Sequence, residues 1–192
     1  EWNIRAVIIS GNATDWEHYD EASFAGIYQV IRTAEWPILG ICGGNQLIAK
    51  AYDVPVGPIR KLRAGEVTPA PTIAPGYYKE WGFKPVRILK TDPLFEGLGP
   101  TPVFLEAHYW EVKEAPVGFD VLASTDECRV QVLKRIGHPI YGVQFHPEGY
   151  TEEAGERTNL LTSLVYEEAV APKAPAGKKL LANFLKIADS LS

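Results

Sequence analysis

The 192-residue chain predicts an α/β fold: a mostly parallel central sheet flanked by helices, with an added antiparallel β segment. Three observations predict it. Strand-like apolar runs alternate with helical patterns through the first fifty residues, the order that builds parallel strands with right-handed crossovers. From residue 82 onward six β-like runs follow one another, separated by Gly- and Pro-containing turn signals. A closing segment, 178–191, places Leu180, Leu181, Phe184, Leu185, Ala188 and Leu191 on one helical face.

Taken in order, 5–10 is a short apolar strand that ends at Gly11-Asn12. Segment 20–35 carries Phe24, Ile27, Val30 and Ile31 at helical spacing. Pro37 opens a buried strand, 38–41, which stops at Cys42; two glycines and a helical pattern with Leu47, Ile48 and Ala51 follow. Segment 54–80 holds Pro55, Pro58, Pro69, Pro71 and Pro75 and reads as an irregular excursion with a short strand at 65–68. Long loops of this kind serve as substrate walls or as plain surface, and both readings stay open. Strands are expected at 83–89, 103–105, 108–112, 119–123, 130–133 and 139–145. A helix at 158–170 then lies within an insertion, 155–176, that precedes the last helix.

The length suits a single domain, 1–192, with a sizeable core. A formal net charge of -5 with no compensating Lys/Arg block excludes general binding to nucleic acid or to an anionic membrane. No apolar stretch is long enough to span a bilayer, and no signal peptide is visible, although a chain that begins with Glu1 gives that little weight. The two cysteines are Cys42 and Cys128. A disulfide between them would abolish the Cys42 thiol; the reading taken is two reduced thiols in a reducing, cytoplasmic compartment. No His/Cys/Asp/Glu cluster has metal-ligand spacing, so no metal and no cofactor are expected.

Chemistry concentrates at two strand ends. Cys42 sits on a strand–turn–helix elbow, where the helix dipole and free backbone N–H groups favour a thiolate. Alone, such a cysteine reads as packing. The run 139–145, however, ends in His146-Pro147-Glu148. An imidazole can take the thiol proton, and a carboxylate two residues on can hold the other ring nitrogen. Cys42, His146 and Glu148 thus form a candidate triad for acyl transfer. Its oxyanion would meet the Gly43 N–H and a second donor from Gly11-Asn12. Cys128 reads as a structural strand residue. His108, at the start of a strand, is ambiguous.

Gly40-Ile-Cys-Gly-Gly-Asn-Gln46 and Gly142-Val-Gln-Phe-His-Pro-Glu148 resemble the G-x-C-x-G-x-Q and G-x-Q-F-H-P-E segments of class I glutamine amidotransferases, which have a flavodoxin-like fold. The likeness covers most of the chain and is nearest to stand-alone members similar to the amidotransferase domain of GMP synthase. It implies release of ammonia from glutamine through a γ-glutamyl thioester. Cys42 would be the nucleophile, His146 the base and Glu148 its orienter, with Gln46, Gly43, Gly11, Asn12 and His108 around the substrate. It also implies a partner, a separate synthase subunit that accepts the ammonia, and a βα unit before the strand at Ile8, which this chain lacks. Two segments depart from the family pattern. The glycine-rich loop reads Gly11-Asn-Ala-Thr-Asp15, and the S-H-G-D segment reads Ala107-His-Tyr-Trp110. Three readings therefore stand: a glutaminase feeding a partner, a hydrolase of another γ-glutamyl amide, and a binding module with an impaired pocket.

Overall fold

The structure is a computed structural model that describes residues 4–157, 159–166 and 170–191. In chain order its elements are β1 (Val7–Ile9), α1 (Ala25–Thr33), β2 (Ile38–Ile41), α2 (Gly43–Ala51), β3 (Val56–Pro58), β4 (Glu80–Pro85) and β5 (Arg87–Ile88). Then come β6 (Val103–His108), β7 (Trp110–Val112), β8 (Phe119–Ser124), β9 (Val132–Arg135), β10 (Ile140–Val143), α3 (Leu160–Val165) and α4 (Ala176–Ser190).

The central sheet is mixed, in the order β1-β2-β10-β9-β8-β5. β1, β2 and β10 are parallel; β9, β8 and β5 extend the sheet by antiparallel pairing. All four residues of β2 and of β10 are buried, which accounts for their uninterrupted apolar runs. On one face Ile38, Leu133 and Ile140 pack against Ile31 of α1 and Ile48 of α2. The other carries Leu39, Tyr141, Val143, Phe145, Leu180 and Phe184, covered by α4. Two small antiparallel sheets, β3–β7 and β4–β6, stand beside the main one among the described residues.

Several expected elements shift. The helix expected over 20–35 opens with a 3-10 turn, Glu21–Phe24, capped by the Asp20 carboxylate, and is α-helical only from Ala25. The strand expected at 65–68 does not form. Arg60 instead grips Glu66 (2.7 and 2.8 Å) and Glu127 (2.8 Å), and the Glu66 carboxylate also accepts the Arg63 N–H at 2.9 Å, so side chains order this excursion. The helix expected over 158–170 is the shorter α3, opened by a capping box of Asn159 and Thr162; residues 158 and 167–169 of that expectation lie outside the described residues. Among the described residues no helix is long and apolar enough to cross a membrane.

Candidate active site

The elbow is built by close packing. Cys42 follows β2 with φ 51° and ψ -105°, a strained conformation for a residue with a Cβ. Its N–H donates to Val143 O at 2.7 Å and its carbonyl accepts the Gln46 N–H at 3.1 Å, so both backbone groups are held. A Cβ on Gly44 would stand 2.1 Å from Ile9 O, and one on Gly40 would stand 2.5 Å from the Gly44 carbonyl. Only glycines let α2 begin this close to β1 and β2. The thiol is left at the N-terminus of α2, where the helix dipole favours its anion.

β10 lies beside β2 in parallel register and brings the second group to the same sheet edge. The His146 N–H donates to Leu105 O at 2.8 Å, and the chain then turns through a 3-10 segment, Pro147–Gly149. Glu148 therefore meets His146 through a turn. Its Oε1 lies 2.7 Å from His146 Nδ1. The ring's other nitrogen is left for Cys42, which lies beside the imidazole next to Gly11 and interacts with its charge.

Burial opposes ionisation of the thiol. The His146 imidazolium, its hydrogen bond, the charge of His108 and the Gly43 N–H outweigh it and hold Cys42 below the usual thiol range. Burial likewise opposes the His146 cation, but Cys42 and Glu148 together push that imidazole up to about 10. The directions describe a thiolate–imidazolium pair, ready for nucleophilic attack.

Cys42, His146 and Glu148 line a cavity of about 700 Å³. One wall is 10–16 and the opposite wall 107–110; α3 adds Leu161 and Leu164, and the Pro-rich excursion adds Ile73. Gly11 lies beside both reactive groups: a Cβ there would be 3.4 Å from Cys42 Cβ and from His146 Cε1. Asn12 covers Gly43, with Oδ1 only 1.6 Å from where a Gly43 Cβ would be. Neither Gly11 nor Asn12 takes a positive φ, so the change from a glycine-rich loop costs no backbone strain at Asn12.

A family model for glutamine amidotransferase class-I matches residues 1–161. The chain belongs to the class I glutamine amidotransferase family. Among curated relatives, the chain is 40% identical over 129 residues to a subunit of the glutamine-hydrolyzing GMP synthase of Methanothermobacter thermautotrophicus, covering 67% of this chain and 60% of that one. It is 34% identical over 154 residues to the subunit of the same name from Methanocaldococcus jannaschii, covering 80% of this chain and 70% of that one. Across three such relatives the matched part spans 55–60% of their length. Among solved structures, a protein from Thermoplasma acidophilum assigned as a GMP synthase subunit superposes with a TM-score of 0.69 at 23% identity, covering 98% of this chain and 74% of that one.

The remaining expected site residues are committed to the protein itself. Gln46 is 3% exposed. Its Oε1 accepts the Trp16 indole N–H at 2.6 Å, and its Nε2 donates to Gln144 Oε1 and to Trp110 O, each at 3.2 Å. It shapes the cavity wall, with both amide protons already engaged. His108 ends β6, opposite Glu80 of β4: Nδ1 is 2.8 Å from Trp110 O, and Nε2 lies 3.0 Å from Glu106 Oε2 and 3.2 Å from Glu80 Oε2. These three are the group among the described residues whose donor atoms are close enough to share a cation. Their separation in sequence hid this from the spacing test. Protons balance the charge just as well. Nδ1 must donate to the Trp110 carbonyl, so an unprotonated Nε2 would present a lone pair to two carboxylates. Although burial disfavours the cation, the two carboxylates hold His108 well above its usual range, and burial pushes Glu106 up to about 7. Cys128 is buried and free, with its thiol raised chiefly by burial and secondly by Glu80, as fits a structural residue.

Four residues around the site went unassigned in the sequence: Trp16, Glu80, Glu106 and Gln144. Gln144 lies inside a motif with a recognisable pattern, and Glu106 is an acid within an apolar strand run. Those are the two signals that could have drawn notice.

Proposed function

We propose that this chain is the glutaminase component of an ammonia-transferring enzyme. The observation that carries the reading is the thiol, the imidazole and the carboxylate bonded to that imidazole, all lining one cavity of about 700 Å³. The Cys42 thiolate attacks Cδ of the glutamine side chain, forming a C–S bond. The negative charge on the carbonyl oxygen faces the Gly43 N–H at the start of α2. His146 delivers its proton to the departing nitrogen as the C–N bond breaks, and ammonia leaves. Water then attacks the γ-glutamyl thioester, His146 takes its proton, and glutamate and the Cys42 thiol are released. Glu148 holds the ring and stabilises its cation in both halves. The relatives are named for glutamine-hydrolyzing GMP synthase, of which each is one subunit. That supports glutamine as the donor, with the ammonia acceptor on a separate synthase subunit.

A second reading keeps the chemistry and changes the leaving group. Tyr109, Trp110, Leu161 and Leu164 give the cavity broad apolar walls, which suit a γ-glutamyl amide with a larger amine. Steady-state release of ammonia from glutamine, set beside release of amine from a panel of γ-glutamyl amides, separates the two. Turnover of glutamine with no gain from the larger amines supports the first; turnover of the amides alone supports the second. No turnover of either, in the presence or absence of a synthase subunit, would leave the third expectation, a binding module.

A further inference from the structure

Gln144 carries no role in the mechanism above, yet its side chain touches the nucleophile. We infer that Gln144 donates a hydrogen bond that stabilises the Cys42 thiolate, and that Trp16 and Gln46 are positioning residues that fix its amide in the donating orientation. The inference rests on Cys42 being the nucleophile.

The orientation follows from groups whose hydrogen-bond roles are fixed by chemistry. An indole N–H can only donate, so the Gln46 atom 2.6 Å from Trp16 Nε1 is the oxygen. A backbone carbonyl can only accept, so the Gln46 atom 3.2 Å from Trp110 O is the nitrogen. Two independent anchors therefore set the Gln46 amide. Its Nε2 also faces Gln144 at 3.2 Å, and that atom must accept: it is Oε1. Asn45 Nδ2 approaches the same oxygen at 3.5 Å. The nitrogen of Gln144 is then left pointing at Cys42 Sγ, 3.6 Å away. Every residue in the relay is buried; Gln144 and Asn45 are 0% exposed. Turning any one amide would set acceptor against acceptor or donor against donor in a dry site, which costs far more than in water.

A donor aimed at sulfur favours the anion over the thiol. It adds to the charges that already face Cys42: the His146 cation and Glu148 behind it from the turn after β10, and His108 from β6. The donor reaches the sulfur from the protein side, while His146 stands with it on the cavity floor. Gln144 would thus stabilise the sulfur anion before it attacks and again when the C–S bond of the thioester breaks.

The test is the pH dependence of Cys42 alkylation by iodoacetamide, followed by mass spectrometry in the full chain. Gln144→Glu keeps an acceptor for Gln46 and Asn45 and replaces the donor by oxygen. The thiol pKa is expected to rise by about one unit or more, with alkylation near neutral pH slowed roughly tenfold. Gln46→Glu touches no sulfur, but its second oxygen forces Gln144 to turn its amide and present Oε1 to Cys42, so a rise in the same direction is expected. Trp16→Phe removes one anchor only and is expected to give a smaller rise. A role limited to packing would lower thermal stability and leave the alkylation profile in place. Should Gln144→Glu fail to fold, the other two variants decide. Folded variants whose profiles coincide with wild type would overturn the inference while leaving the nucleophile intact. A wild-type Cys42 that is unreactive throughout would overturn both.

Discussion

Two histidines face the same cavity, and each is held by carboxylates. His146 meets one carboxylate, at 2.7 Å, and a thiol. His108 meets two, at 3.0 and 3.2 Å, and a backbone carbonyl. The Glu148 side chain is 40% exposed, whereas those of Glu80 and Glu106 are 6% and 0%. The contrast separates a reactive imidazole from a locked one. His146 has an exchangeable partner and a carboxylate that reaches the cavity, so its proton can move during turnover. His108 sits in a dry setting, with Nδ1 on a backbone carbonyl and Nε2 at ion-pair distance from both carboxylates. It acts at a distance, as a fixed positive charge that helps hold the Cys42 thiol down.

The comparison can be broken most decisively on the reactive side. Cys42→Ser is expected to reduce ammonia release by roughly 10⁴-fold, and His146→Asn by a comparable factor. Because the two act as one unit, the double variant should be little worse than either single one. Steady-state assays of the three proteins check this, and additive losses would mean that the groups work independently.

On the locked side the larger effect is on stability. Glu106→Ala leaves the buried His108 cation with Glu80 as its single carboxylate and opens a cavity, and is expected to cost about 3 kcal/mol by urea unfolding. Glu148→Gln is expected to stay within about 1 kcal/mol, because that carboxylate is partly in water, yet to lower kcat by roughly 10²-fold or more. Matching stability losses in the two variants would erase the distinction between the histidines.

A finer effect sits in the pH dependence. Folded Glu106 keeps its proton up to about 7, whereas the carboxyl otherwise releases it near 4.5. Between those values the folded chain binds the extra proton, so this group's contribution to stability falls as pH rises through the window. The raised His108 works in the same direction, its contribution being lost as pH climbs through its folded value. Glu106→Gln removes the first of these. Urea midpoints near the two ends of the window should show the variant gaining on wild type as pH increases; a constant difference would place the proton elsewhere.

Much of the fold was legible because it is encoded locally. β1, β2 and α2 follow from apolar periodicity, and the elbow from glycines whose spacing leaves no room for a Cβ. The two reactive segments were readable because each is a short contiguous motif. Their meeting required only that both strands end at the same sheet edge, which parallel pairing of β2 and β10 provides. The Glu80–Glu106–His108 cluster was not legible. The antiparallel register of β4 and β6 sets Glu80 opposite His108, and nothing in the spacing of 80 and 106 announces that register. The strand expected at 65–68 failed for a related reason: the long-range Arg60–Glu127 pair decided the backbone there, against local propensity. Gln46 lines the cavity, and its hydrogen-bond saturation by Trp16, Trp110 and Gln144 is a tertiary fact.

The most direct test of the central claim is covalent trapping. The protein, incubated with a diazo-ketone analogue of glutamine and digested for mass spectrometry, should carry a single adduct on Cys42, with ammonia release lost in proportion to labelling. His146→Asn should label far more slowly. An adduct on Cys128 alone, or full labelling of Cys42 with ammonia release undiminished, would contradict the account.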